Sequence, residues 1–264
     1  MVLRAEAIEL EYTPGTPVLR RVDAVFLPGE VTAIVGPNGA GKSSLLRILL
    51  GSLPPTAGRA TLAGLDTHRL APGARASRIA YMPQHERVAF DFETLAFVRF
   101  GLGGTPDRGE ADRALDAVGL KARARTPISH LSAGQRQRAS LARVLTQAAR
   151  FDGGGVVLAD EPVAAMDAGM AQSAFSILRD QAARGLTVVL VLHDLHAALR
   201  ACDRVLLMDG SGRVASWDRP RAALNPDALR EVYGVTFEEV RDAQGNLLAL
   251  LPPLPPVRDR GDRP

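Results

Sequence analysis

Cys202 is the only cysteine in this 264-residue sequence. A lone thiol excludes an internal disulfide framework and fits a reducing compartment. Its apolar neighbours predict a core position. Long hydrophobic runs are also missing. The longest, Leu186 to Leu192, is strand length, well short of the roughly 18 residues a membrane span requires. Arg4, Glu6, Glu9 and Glu11 interrupt the N-terminal stretch, so no secretory leader is expected. The chain has no run of basic residues. Its 32 Lys and Arg are interspersed with 29 Asp and Glu for a net charge of +3, which argues against a nucleic-acid arm. Lysine is almost absent, at Lys42 and Lys121 only. A chain that otherwise uses Arg keeps Lys where a compact, point-like cation is wanted. The remaining composition, 46% hydrophobic and 23% charged, is globular and supports one α/β domain or a core plus a small subdomain.

Lys42 sits in Gly36-Pro37-Asn38-Gly39-Ala40-Gly41-Lys42-Ser43, which fits G-x-x-x-x-G-K-[ST], the phosphate-binding loop. Val31 to Val35 before it reads as a buried strand, and Ser44 to Leu50 after it as a helix. In that context the glycines let successive N–H groups curl around phosphate oxygens, and the helix N-terminus adds positive potential. Lys42 would bridge the outer phosphates, and the Ser43 hydroxyl would ligate Mg²⁺.

Strands are expected over residues 2–10, Val18 to Phe26, Arg59 to Leu65 and Arg78 to Met82, with turns at Thr13-Pro14-Gly15, Pro28-Gly29-Glu30 and 54–58. From about 86 to 150 the periodicity is helical. Ala111, Ala114, Leu115 and Val118 share one face, and Gly119 is the expected stop. Ser132-Ala133-Gly134-Gln135 has capping-box spacing and opens a helix running to about Ala149. Val156 to Ala159 reads as a strand buried on both faces of a parallel sheet. A helix from about Gly169 to Arg184 and a strand over Thr187–Leu192 follow. Arg204–Met208 and Arg213–Ser216 flank a hairpin turn, and Asp227–Tyr233 is a short helix. The last dozen residues are proline-rich and read as a disordered tail.

Gly36–Ser43, Gln84, Asp160-Glu161 and His193 each follow the C-terminal end of an expected strand. In an open parallel sheet those ends share the edge where ligands bind. A carboxylate ending a buried strand is costly unless it is paired or near a metal, so Asp160 with Ser43 can hold Mg²⁺ on the β- and γ-phosphates. Glu161, one residue on, points elsewhere and is free to polarise a water. His193 can reach the γ-phosphate or that water. Standing alone, an Asp-Glu pair is as readily a solvated turn, and a strand-end His is usually structural.

Leu131-Ser132-Ala133-Gly134-Gln135 resembles the signature motif of ABC-type ATPases. Its neighbours fall in that family's order: phosphate loop, Gln84, signature, Asp160-Glu161, Asp167, His193. The resemblance covers about residues 2 to 240. It implies an α/β P-loop NTPase (RecA-like) core with a mainly parallel sheet, N-terminal antiparallel strands and an inserted helical subdomain. It divides the chain into a core of 1–85 and 150–240, a helical subdomain of 86–149 and a C-terminal extension of 241–264. It also implies ATP and Mg²⁺ as ligands. Tyr12 would stack on adenine, Gly36 to Ser43 and the adjoining Ser44 would hold the phosphates, and Gln84 would contact Mg²⁺. Ser132 and Gly134, with Gln135 and Asp167, would complete the nucleotide site of a second copy, giving a head-to-tail homodimer. Three departures stand out. Ala133 replaces a common Gly and is expected to be helical. Val163 to Met166 lacks the usual hydroxyls. Arg150 to Gly155 looks like a short insertion.

Met82-Pro83-Gln84, His193 to Ala198 and Val232-Tyr233-Gly234-Val235 resemble the importer ATPases for iron–siderophore, haem or cobalamin. On that resemblance the chain hydrolyses ATP at the cytoplasmic face of the inner membrane. It would drive a separate permease, docked beside the helical block, and serve a substrate-binding protein indirectly. An importer subunit for another substrate, a soluble ABC protein of DNA repair or translation, and a phosphate-loop kinase or GTPase are the alternative readings.

Overall fold

A computed structural model describes residues 1–86, 90–152, 154–241, 243–244 and 247–252. The chain opens with β1 (Leu3–Thr13) and β2 (Thr16–Phe26), antiparallel across the turn at Pro14-Gly15. The alternation of β1 slips between Ala5 and Ile8. There Ala7 takes a φ of 47° and the register with its neighbour strands shifts. A bulge of this kind breaks a period-2 pattern without ending the strand.

β3 (Val31–Val35) is buried throughout and leads through the glycine loop into α1 (Lys42–Leu50), which starts at Lys42 rather than at Ser44. β4 (Ala57–Leu62) begins before the expected Arg59. It turns at Ala63 and Gly64, both at positive φ, into β5 (Leu65–Asp66). α2 (Pro72–Ala76) and β6 (Ile79–Met82) follow.

The described residues from 90 to 149 form helices joined by turns and loops, with one isolated bridge between Glu93 and Pro127 and no strand. Their helices are α3 (Thr94–Arg99), α4 (Glu110–Ala117) and α5 (Ala133–Ala148). Ala111, Ala114 and Leu115 are the buried face of α4, as its periodicity requires. The α5 capping box forms. Gln135 N–H donates to Ser132 Oγ at 3.2 Å, and Ser132 N–H donates to Gln135 Oε1 at 2.9 Å. Such a cap contributes about 1 kcal/mol.

The core resumes with β7 (Val156–Asp160), α6 (Ala168–Ala183), β8 (Thr187–Val191), α7 (Leu195–Ala201), β9 (Arg204–Met208), β10 (Val214–Asp218), α8 (Pro220–Ala223) and α9 (Pro226–Tyr233). Arg150 reaches Glu110 at 3.0 Å. Phe151 lies against Gly155, where a Cβ would come within 2.2 Å of its ring. No strand is expected from the sequence beyond 216, yet β11 (Glu238–Arg241) and β12 (Leu247–Leu251) pair antiparallel, Glu238 opposite Leu251 and Arg241 opposite Leu247. Leu250 joins the main core. The proline-rich end, 253–264, lies outside the described residues.

β2-β1-β4-β5 form one sheet, and β10-β9-β3-β8-β7-β6 form another. In the second sheet every neighbouring pair except β9–β10 is parallel. Alternate residues of its strands feed two cores. Ala33, Val157, Leu190 and Val205 face the helical side, whereas Ile34, Leu158, Val189 and Leu206 face α1 and the N-terminal sheet. Burial on both faces is why these strands read as continuous apolar runs. Among the described residues no helix is long and apolar enough to cross a membrane.

Cys202 is 7% exposed, and burial pushes its thiol up to about 12. The thiolate, not the thiol, is the nucleophile. Maleimide at pH 8 should therefore label the folded chain very slowly and the urea-unfolded chain at once. Rapid stoichiometric labelling of the folded chain would contradict this packing.

Candidate active site

Parallel register brings the strand ends level. Ile34 of β3 and Asp160 of β7 both pair with Val191 of β8, and Met82 of β6 pairs with Ala159. Gly36–Ser43, Glu161, His193 and Gln84 therefore leave the sheet at one height. They meet in a single cleft whose lining includes Asn38, Lys42, Ser43, Gln84, Glu161 and His193.

The loop conformation demands glycine at two points. Gly36 has a φ of 150°, and a Cβ there would come within 2.4 Å of the Met208 carbonyl. Gly41 has a φ of 85°, with Leu19 2.6 Å from such a Cβ. Lys42, 6% exposed, donates to the carbonyls of Gly36 at 2.7 Å and Pro37 at 2.8 Å. Burial pulls its ammonium pKa down, opposed by the charges of Glu161 and Asp160. An anion entering the loop would meet a partly desolvated cation and the start of α1.

Asp160 is 3% exposed, and burial raises its carboxyl above the usual range, partly offset by the Ser43 hydroxyl. Its Oδ1 finds no hydrogen-bond partner among the described residues. A buried orphan carboxylate oxygen beside a hydroxyl suits a hard divalent cation. Among the described residues no group of three or more His, Cys, Asp or Glu is arranged to hold a metal ion by itself. Such a cation would take its other ligands from phosphate and water, as Mg²⁺ does.

Glu161 is the hub. Its Oε1 receives the Gln84 amide at 2.7 Å and lies 2.5 Å from His193 Nε2. Its backbone is left-handed, with φ 51°, a conformation that costs a non-glycine residue about 1–2 kcal/mol. Tyr12, 58% exposed, hydrogen-bonds Ser44 across 3.0 Å, so its ring stands beside the start of α1.

The signature residues lie elsewhere. Ser132, Gly134, Gln135 and Asp167 are outside the residues lining the phosphate cleft. Gln135 completes its own helix cap, and Asp167 caps α6 through Met170 N–H at 2.9 Å. Ala133 is helical, as expected, and has no positive φ.

Two contacts escaped the sequence reading. Gln137 donates to the Glu161 carbonyl at 2.6 Å and accepts from Ala165 N–H at 2.8 Å. Glu86, just past Gln84, pairs with Arg143 at 3.1 Å and bonds Ser140, both on α5. Gln137 sits three residues beyond Gly134, on the same helix face. That spacing was the available signal. Nothing local marked the Glu86 pair.

Asn at position 160 cannot ionise. Because burial raises the Asp160 carboxyl, the folded chain loses stability relative to the unfolded one as pH rises above the ordinary carboxylate range. Asp160→Asn should therefore raise the nucleotide-free Tm at pH 7 by about 2–4 °C per kcal/mol relieved. The gain should shrink toward acid pH. ATP binding should meanwhile lose its dependence on Mg²⁺. A lower Tm at pH 7, or Mg²⁺ dependence unchanged, would contradict the geometry.

The ABC transporter family matches residues 19–164. The match includes the phosphate loop, Gln84, the signature and Asp160-Glu161, and stops short of His193. The hemin import ATP-binding protein HmuV of Rhodopseudomonas palustris is 38% identical over 94% of this chain and 94% of its own. HmuV of Pseudomonas putida is 41% identical over 83% of this chain and 87% of its own. The cobalamin import ATP-binding protein BtuD of Halobacterium salinarum is 37% identical over 88% of this chain and 59% of its own. Among solved structures, cbiO1 of Clostridium perfringens, part of the ABC transporter complex cbiONQ, superposes with a TM-score of 0.73 at 27% identity. It covers 87% of this chain and 92% of its own. A putative metal-chelate type ABC transporter in an inward-facing conformation shares the fold, with a TM-score of 0.78 at 22% identity, over 96% of this chain and 98% of its own. Phosphate loop, signature and full-length relatives agree: the chain belongs to the ABC transporter family, as an ATP-hydrolysing subunit.

Proposed function

We propose that this chain is the ATP-binding subunit of an importer that takes up a metal chelate through a separate membrane permease. Haem is the first candidate cargo and cobalamin or iron–siderophore the next. The observation that carries the ATPase part is the meeting of Gln84, Glu161 and His193 with the phosphate loop in one cleft. The names of the hemin and cobalamin import relatives, both for metal-centred macrocycles, support the cargo class.

In this reading Gly36, Pro37, Asn38, Gly39, Ala40, Gly41 and Ser44 hold the phosphates with Lys42, and Tyr12 stacks on adenine. Ser43, Asp160 and Gln84 hold Mg²⁺, which when bound neutralises charge on the β- and γ-phosphates. Glu161 accepts a proton from the attacking water. His193 and Gln84 fix the carboxylate of Glu161 and share its hydrogen-bonding. Ser132, Gly134, Gln135 and Asp167 serve the ATP of a second copy, which is why a single chain leaves them outside its own cleft. The dimer is head-to-tail and isologous.

The helical subdomain, 86–149, is the transmission element between the core, 1–85 and 150–240, and the permease. The hairpin of β11 and β12 straddles the junction with the extension, 241–264. A groove between Leu50, Arg75, Tyr81, Glu86, Arg143 and Gln147 supports docking beside the helical block. On that block Phe90 and Phe100 are 73% and 52% exposed, as aromatic residues that meet a partner are. The subunit then works at the cytoplasmic face of the membrane, beneath permease and binding protein.

Glu161→Gln should bind Mg-ATP, lose turnover and accumulate as a dimer on a sizing column. Normal hydrolysis by this variant would remove Glu161 as the base. Ser132→Arg should keep ATP affinity and lose hydrolysis; a fully active variant would sink the shared-site dimer. With permease and binding protein in liposomes, haem should raise ATPase activity several-fold. If haem, cobalamin and iron–siderophores all leave the rate unchanged, the cargo class is wrong.

A further inference from the structure

The geometry points to Gln137 as the positioning residue that holds Glu161 in its working conformation. The inference rests on the reading of Glu161 as the base. Glu161 sits in a left-handed backbone conformation, and such a conformation persists in a non-glycine residue only when its surroundings over-determine it. On one side its N–H donates to the Val191 carbonyl of β8 at 3.1 Å. On the other its carbonyl accepts from Gln137 Nε2 at 2.6 Å, while Gln137 Oε1 accepts from Ala165 N–H at 2.8 Å. One side-chain amide thus brackets both ends of the loop from 161 to 165.

The donor and acceptor requirements select the side chain. Facing a carbonyl at one end and an N–H at the other, it must donate and accept at once. The glutamine amide does this with two separate atoms, Nε2 donating and Oε1 accepting, and asparagine is one methylene shorter. The scaffold is close behind. Gly134, in the first turn of α5, packs backbone against backbone on the same loop, where a Cβ would come within 2.6 Å of the Ala165 carbonyl.

The division of labour follows. Gln84 and His193 aim the Glu161 carboxylate, and α5 aims its main chain. The helix whose first turn carries Ser132 and Gly134 for the partner's nucleotide therefore also sets the base of its own chain. A shift of that first turn, when the partner's ATP docks, reaches Glu161 through one side chain.

The test uses the full chain with Mg-ATP, measuring kcat, KM, nucleotide affinity and Tm. Gln137→Ala should lower kcat by about 10- to 100-fold, the scale of a misplaced catalytic group, with KM and ATP affinity within about twofold. Gln137→Glu, nearly the same shape, keeps the acceptor for Ala165 and loses the donor to Glu161. It should be as slow as Gln137→Ala. Adding Gln137→Ala to Glu161→Gln should slow nothing further and should leave the ATP-trapped dimer intact. A Gln137→Glu variant with wild-type kcat and Tm overturns the inference. So does a rise in KM at unchanged kcat, or loss of the trapped dimer. If Gln137→Ala is active while Glu161→Gln is dead, the positioning role alone fails and the ATPase reading stands. If Glu161→Gln itself turns over, both fall.

Discussion

Level strand ends are the constraint on which the rest of this molecule depends. β3, β7 and β8 pair in parallel with Ile34, Val191 and Asp160 in one row. A one-residue slip of any strand would exchange its two buried faces. It would also carry the phosphate loop, the carboxylates or His193 out of reach of the others. Both effects act together, because the same alternation that fills the two cores sets the height of the polar tips. Stability and site geometry are therefore held by one set of contacts. Ile34, Leu158 and Leu206 pack into one core and Ala33, Val157 and Val205 into the other.

Lys42, Asp160 and Glu161 bring one cation and two carboxyl groups to the cleft. Lys42 spends two donors on loop carbonyls and feels Asp160 and Glu161 at longer range. Asp160 keeps one oxygen unpartnered in the interior. Glu161 is shared by Gln84 and His193. Each of these groups carries an unfavourable feature in isolation: a desolvated ammonium, an orphan carboxylate, a left-handed backbone. Unfavourable features gathered at one sheet edge are what a site built for a charged ligand shows.

The helical block connects to this edge through α5. Gln137 reaches the loop after β7, and Arg143 and Ser140 reach Glu86 beyond Gln84. Two separate polar links thus join one helix to Glu161 and to Glu86, two residues past Gln84. Arg143 also lies over the Phe97 ring at 5.8 Å, which ties the same helix to α3 and the exposed aromatic cluster.

What the sequence determined by itself were the features written in short windows. The glycine loop, the buried runs of β3, β7 and β8, the capping box at Ser132–Gln135 and the burial of Cys202 all follow from residue type and spacing within one element. So did the gathering of Gln84, Glu161 and His193, because strand ends in a parallel sheet share an edge. The left-handed turn at Glu161, the Gln137 bracket, the Glu86–Arg143 pair and the pairing of β11 with β12 emerge in the folded chain alone. Gln137 with Glu161 and Glu86 with Arg143 join positions 24 and 57 residues apart, and the turn at Glu161 is held by Val191 and Gln137 from other elements. Their energies come from partners delivered by the fold, so no local pattern of residues records them.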